Sequence, residues 1–260
     1  MLVLLPPSEG KTRPADGPAL DLAQIHPFSG ALERARREVL ENLIQTSARE
    51  DALEVLKVGK SIAGEVHANT QLIGAPTAPA WQVYSGVLFE AGNFLERGPL
   101  YSASDSFEVL VQSALFGAVD LASPIPAYRL SMDTKLPEIG ALGTWWRKQL
   151  ADLMNERAHH RLVVDMRSGA YQKAWPGTGL EVDLIRVNAV RDRGGKRSVV
   201  SHSAKRYRGI LAGALIEHRD ELDGSIDSVL EVARGIEAED FTGVEVREAR
   251  DYLELVIVTS

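Results

Sequence analysis

Residues 1–12 read MLVLLPPSEGKT, an apolar run from Leu2 to Leu5, then Pro6-Pro7, then Ser8-Glu9-Gly10-Lys11-Thr12. Four consecutive apolar residues closed by a proline pair have the length and composition of a short buried strand. Gly-Lys-Thr beyond a strand invites comparison with a nucleotide-binding P-loop, which needs Gly-x-x-x-x-Gly-Lys-Ser/Thr so that successive backbone N–H groups surround a phosphate before a helix begins. Here Leu5 stands at the first glycine position. Pro6 and Pro7 offer no N–H, Glu9 would set a carboxylate beside the phosphates, and Pro14 and Gly17 follow where a helix is required. The stretch is therefore a rigid turn at a strand end that presents Ser8, Glu9 and Lys11. Either it is a surface turn with a local Glu–Lys pair, or Lys11 serves there as an anion anchor or, if desolvated, as a base.

Working outward, residues 13–28 carry Pro14, Gly17, Pro18 and Pro27 and are expected to form an extended loop. From Ser29, read as a helix cap, Leu32, Ala35, Val39, Leu40 and Leu43 recur at helical spacing. Shorter helices are expected at 51–56 and 60–69, so that a helical segment of about 29–70 is inserted after the first strand. Residues 106–116 are apolar enough for a buried strand or helix, and 127–132 for a short strand. Residues 142–157, with Trp145 and Trp146, are read as a helix, as are 204–219, capped by Ser203, and 225–233. Strands are expected at 161–166, 180–190, 196–201 and 252–258. No repeat, low-complexity tract or long linker interrupts the pattern. The expectation is a mixed α/β (α+β) fold, one domain over 1–260, with a central mixed sheet flanked by helices.

At 260 residues and 45% hydrophobic content, the chain can bury a sizeable core. It has no cysteine, which removes thiol sensing, thiolate catalysis and Cys-ligated metals. The N-terminus has no basic start with a long apolar run, and no stretch has the roughly 18 apolar residues of a membrane span, so a cytoplasmic location and no membrane partner are expected. A net charge of -7 restricts any nucleic-acid contact to a local basic patch.

Five blocks in order resemble the YaaA family of bacterial peroxide-stress proteins: LLPPSEGKT near the start, VYSG at 83–86, VLVQSALFGAVDLASPIPAYRLSM at 109–132, VVDMRSGAYQ from Val163 and VVSHSAKRYRG from Val199. The resemblance is to a divergent branch. It implies a compact α/β fold, helix-hairpin-helix DNA binding and a role in limiting damage from hydrogen peroxide and free iron.

Two stretches bear on DNA binding. A helix-hairpin-helix follows the pattern hydrophobic, Gly, hydrophobic, Gly, three residues, Ala. Leu56-Lys57-Val58-Gly59-Lys60-Ser61-Ile62-Ala63 fits it with Lys57 in place of the first glycine. Lys57, Gly59 and Lys60 would then meet phosphate at the second helix's N-terminus; a plain helix–turn–helix connection is the alternative. Between 191 and 208, the basic residues Arg191, Arg193, Lys196, Arg197, Lys205, Arg206 and Arg208 face one acid, Asp192. Gly194-Gly195 suits a hairpin turn with arginines at its tip. Of these, Arg193, Lys196, Arg197, Arg206 and Arg208 are candidate phosphate contacts to duplex or distorted DNA; a solvated charged hairpin is the alternative.

An enzyme is the competing expectation. Ser8, Glu9, Lys11, Arg129, Asp165 and His202 fall at predicted strand ends, where α/β pockets gather. If those ends converge, Lys11, Glu9, Asp165 and His202 are candidates for acid–base chemistry, and Ser8, Tyr84, Arg129, Tyr171 and Lys205 for holding a nucleotide- or nucleoside-like molecule. Carboxylates beside stacking aromatics suit cleavage or transfer at a nucleoside. No Gly-x-Ser-x-Gly elbow is present. The adjacent His159 and His160 point about 100° apart on a helix and make poor metal co-ligands. No cofactor and no metal are implied.

Overall fold

In the computed structural model, which describes residues 1–177, 183–198 and 201–260 apart from the side chains of Ser201 and His202, the opening run is strand β1 (Leu2–Leu5), buried at all four positions. A strand apolar on both alternating sets must be covered on both faces, which places it inside a parallel sheet. β1 pairs in parallel with β2 (Glu108–Ser113) on one side and β4 (Val163–Asp165) on the other. β2 turns back through a tight connection into β3 (Gly117–Asp120). β4 pairs in parallel with β5 (Leu184–Arg193), which forms an antiparallel hairpin with β6 (Lys196–Ser198). β7 (Phe241–Glu248) and β8 (Leu253–Thr259) close the chain as an antiparallel pair, and β8 lies parallel to β5. The result is an eight-stranded mixed sheet in the order β7-β8-β5-β4-β1-β2-β3, with β6 on β5.

Helix α1 (Ser29–Ser47) packs Leu32, Val39 and Leu43 inward. α2 is the short Val87–Ala91 helix, α3 spans Leu142–Ala158, α4 Ser201–Glu217 and α5 Ile226–Arg234. On α3, Trp146 is fully buried and its indole N–H donates to the Ala114 carbonyl at 2.8 Å. Trp145 is half-buried against the same core. A mixed α/β domain with a central mixed sheet and flanking helices is what this architecture is.

The chain differs from the sequence expectation in particular elements. Ser29 does not cap α1: Phe28, in left-handed conformation, precedes it and Ser29 is the first helical residue. Ser203 likewise lies inside α4, because that helix starts at Ser201. Residues 106–116 supply one strand and a turn into a second strand, a hairpin where a single element was expected. Residues 127–132 form no strand. There the buried Asn69 side chain takes the place of a neighbouring strand, accepting from Arg129 N at 2.9 Å and donating to Arg129 O at 3.0 Å. β7 is absent from the sequence expectation; its charges and Gly243, where the register shifts, hide the alternation. Among the described residues, no helix is long and apolar enough to cross a membrane.

A long excursion after β1 returns as β2 on one side, whereas α3 delivers β4 to the other, so the winding direction reverses at β1. In open α/β sheets, such a reversal leaves a crevice beyond the carboxyl ends of the strands.

Candidate functional site

The segments that leave β1 and β4 at that crevice are Pro6–Lys11 and Met166–Tyr171. The first is pinned onto the Val83–Gly86 segment. Ser8 Oγ donates to the Gly10 carbonyl at 2.5 Å and accepts from Ser85 N at 3.0 Å. Thr12 N donates to Val83 O at 2.8 Å, and Lys11 forms an isolated β-bridge with Tyr84. Two hydrogen bonds and the β-bridge thus hold the proline-stiffened turn against a second segment about 75 residues away in sequence.

Lys11 curls beneath its own turn. Its ammonium donates to the Ser8 carbonyl at 2.9 Å and lies 4.0 Å from the Tyr128 ring centroid and 5.5 Å from that of Tyr84. Burial, and secondarily the nearby Arg129 guanidinium, push the lysine from 10.5 down to about 7, against the opposing pull of Glu65 and Glu9. Below the ammonium runs a buried hydroxyl chain: Tyr84 and Tyr128 share a hydrogen bond at 3.0 Å, and Tyr128 meets Ser113 Oγ at 2.7 Å. Ser113 ends β2 and accepts from the N–H groups of Leu115 and Phe116. Burial raises both tyrosines and keeps them neutral at ordinary pH. Tyr84 is therefore a buried support for Lys11, and stacking on a ligand is not open to it.

Beside the turn lies a cleft of about 310 Å³. It brings together Ser8, Tyr171 and Lys205, expected to hold a ligand, and Glu9, expected as an acid or base, with Asp133 and Arg208. Arg208 belongs here and not on an outer DNA-facing surface: its Nε donates to Val187 O at 2.8 Å and its Nη2 to Asn188 Oδ1 at 2.7 Å. Helix α4 brings Lys205 and Arg208 so close because it rides directly on α2. A Cβ on Gly209 would strike the Leu88 carbonyl, and one on Gly213 the Gly92 carbonyl.

Arg129 opens onto an adjoining hollow of about 180 Å³ with Lys57 and Thr134. It is held by Glu9 at 3.1 Å and Glu65 at 3.7 Å. Glu9, Ser131 and Asp133 line both spaces, so the two adjoin. Lys57 crosses the hollow's rim to donate to Asp133 O at 3.1 Å.

Asp165, expected as an acid or base, is fully buried in an ion pair. Arg167 donates to it from Nε at 2.8 Å and Nη2 at 3.0 Å, while Gln112 Oε1 and Trp175 O accept from the same guanidinium. Its oxygens serve the β4 end and do not line the cleft. The side chain of His202 lies outside the described residues. Among the described residues, no group of three or more side chains is placed to hold a metal ion.

Part of the basic run is neutralised from within. Arg197 bonds Asp192 at 3.0 Å and Glu245 at 2.8 Å, and Arg206 bonds Asp240 at 2.8 Å. Arg193 and Lys196 remain exposed at a two-residue turn in which Gly194 and Gly195 both have positive φ. The expected phosphate contacts at 197, 206 and 208 are thus committed to acids or carbonyls of the chain itself. Sequence reasoning also missed Tyr128 and Ser113, although both lie in the quoted 109–132 block.

A family model described as "Peroxide stress protein YaaA" matches residues 1–234. The chain belongs to that family. Among its relatives, a UPF0246 protein of Streptomyces coelicolor is 37% identical over 245 residues, covering 92% of this chain and 93% of the relative. One from Corynebacterium efficiens is 38% identical over 264 residues, with 99% and 100% covered. Another from Corynebacterium glutamicum is 35% identical over 238 residues, with 90% and 92% covered. Family membership thus extends over the turn, the cleft and most of the helices around it.

Proposed function

We propose that this YaaA-family chain serves in the response to hydrogen peroxide by binding DNA, with the turn at residues 57–60 as the phosphate contact. The observation that carries the reading is the backbone there. Lys57 stands where the hairpin pattern has its first glycine and adopts a left-handed conformation, φ 57°. Gly59 is extended and precedes a single 3-10 turn, Lys60–Ile62, which runs into the Ala63–Ala68 helix. The N–H groups of Gly59, Lys60 and Ser61 have no acceptor among the described residues, and all three residues are exposed. Successive free N–H groups beside two lysines favour a phosphate. Arg193 and Lys196 extend the reading to a second point of contact.

The test is fluorescence anisotropy of a labelled duplex across a salt series. Lys60→Glu should weaken binding at least fivefold and reduce the slope of log affinity against log salt by about 1, since each neutralised phosphate contributes about 0.9. An unchanged affinity and slope in Lys60→Glu would remove the turn from the reading.

A further inference from the structure

The cleft beyond β1 and β4 takes no part in a phosphate contact at the 57–60 turn, yet its lining is divided: Glu9 and Asp133 also line the adjoining hollow, whereas Lys205 and Arg208 do not. At one end, α4 contributes two cations. Arg208 is fixed through Nε and Nη2 by Val187 and Asn188, and its remaining Nη1 has no acceptor among the described residues. A guanidinium held in place before a ligand arrives loses little freedom on binding an anion. Lys205, one helical turn earlier, lines the same wall and is exposed. At the other end stand two carboxylates, Glu9 and Asp133, which can only accept hydrogen bonds when ionised. The half-buried ring of Tyr171 and the apolar Pro6, Pro7 and Val87 line the same cleft.

A ligand matched to this order has an anionic group at one end, a flat or apolar middle and N–H or O–H donors at the other. The volume, about 310 Å³, is at the small end of ligand pockets, which run from about 300 Å³, and admits one such unit. A sugar phosphate lacks the flat middle, and a dicarboxylate would put its second charge against Glu9 and Asp133. We propose that the cleft binds a single nucleoside monophosphate unit, with its phosphate on Lys205 and Arg208, its base against Tyr171, and its sugar hydroxyl or base amino donors on Glu9 and Asp133. The unit can arrive as a free nucleotide or, because the cleft adjoins the hollow beside Lys57, as an unpaired nucleotide of a bound strand.

Two titrations distinguish the sources. In the first, deoxyadenosine 5′-monophosphate is titrated calorimetrically into the full chain, with deoxyadenosine as the control. In the second, protein is added to a duplex carrying one unpaired 2-aminopurine, whose fluorescence falls on stacking. A free-nucleotide site gives saturable binding of the monophosphate, at least tenfold weaker binding of the nucleoside, and at least fivefold weakening in Lys205→Gln and in Tyr171→Leu. A strand-derived site gives no response to the free monophosphate but quenching of the 2-aminopurine that Tyr171→Leu abolishes. Lys205 is exposed and Tyr171 half-buried, so both variants should fold, which a circular dichroism melt verifies. Silence in both titrations, or responses that neither variant changes, would overturn the assignment. Lys60→Glu keeps this test separate from the turn, since it should lower duplex affinity and leave monophosphate binding unaltered.

Discussion

Replacing Asp165 by alanine decides whether that carboxylate belongs to the architecture or to chemistry. In the structure it is fully buried and doubly bonded to Arg167, whose guanidinium is itself without exposure and reaches Gln112 and the Trp175 carbonyl. The variant leaves that guanidinium buried without its counter-charge, a loss on the order of 3–5 kcal/mol for a broken buried pair. A 260-residue chain has an unfolding entropy of about 0.55 kcal/mol/K at roughly 2.1 cal/mol/K per residue, so Tm should fall by about 5–9 °C. Differential scanning calorimetry measures this directly. Replacing both partners, Asp165→Leu with Arg167→Met, removes the stranded charge and should recover more than half of the loss. A catalytic Asp165 predicts the reverse pattern, an unaltered Tm with a lost ligand response. A Tm within 1–2 °C of the unmodified protein would refute the buried-pair argument.

Other outcomes follow from the same geometry. Lys11 titrates near 7 when folded and at 10.5 otherwise, so the unfolded chain binds the extra proton between those values. Its contribution to stability is then fully present above 10.5 and lost as pH falls through about 7. Urea midpoints should rise from pH 7 to pH 9, and Lys11→Met should flatten that rise; equal rises in both proteins would contradict the burial of the ammonium. Gly209→Ala sets a methyl against the Leu88 carbonyl, so α4 should shift, with a Tm decrease of several degrees and weakened monophosphate binding in calorimetry. Asn69→Ala deprives the half-buried Arg129 backbone of two partners at up to about 1–3 kcal/mol for each unpaired group, and hydrogen exchange at residues 127–132 should accelerate by at least tenfold. Arg197→Gln should change duplex affinity less than twofold, because its charge is already met by Asp192 and Glu245.

Residues 1–12 alone establish a buried strand that ends in a proline-stiffened turn and is no P-loop, since apolar run length, missing N–H groups and fixed φ are local properties. Helix periodicity in α1, α3 and α5 and the Gly194-Gly195 hairpin were legible for the same reason. Which charges are available was not. Arg197, Arg206 and Arg208 look alike along the chain, but acids and carbonyls 5–48 positions away engage them. The strand expected at 127–132 failed because a side chain, Asn69, supplies the pairing. The cleft likewise depends on the winding reversal at β1 and on two glycines that let α4 lie against α2, so that Ser8, Asp133, Tyr171 and Lys205 converge from four separate segments. Local sequence settles backbone habit because it acts through neighbours in the chain; the partner of a charge is settled by packing, which brings together residues that share no local signal.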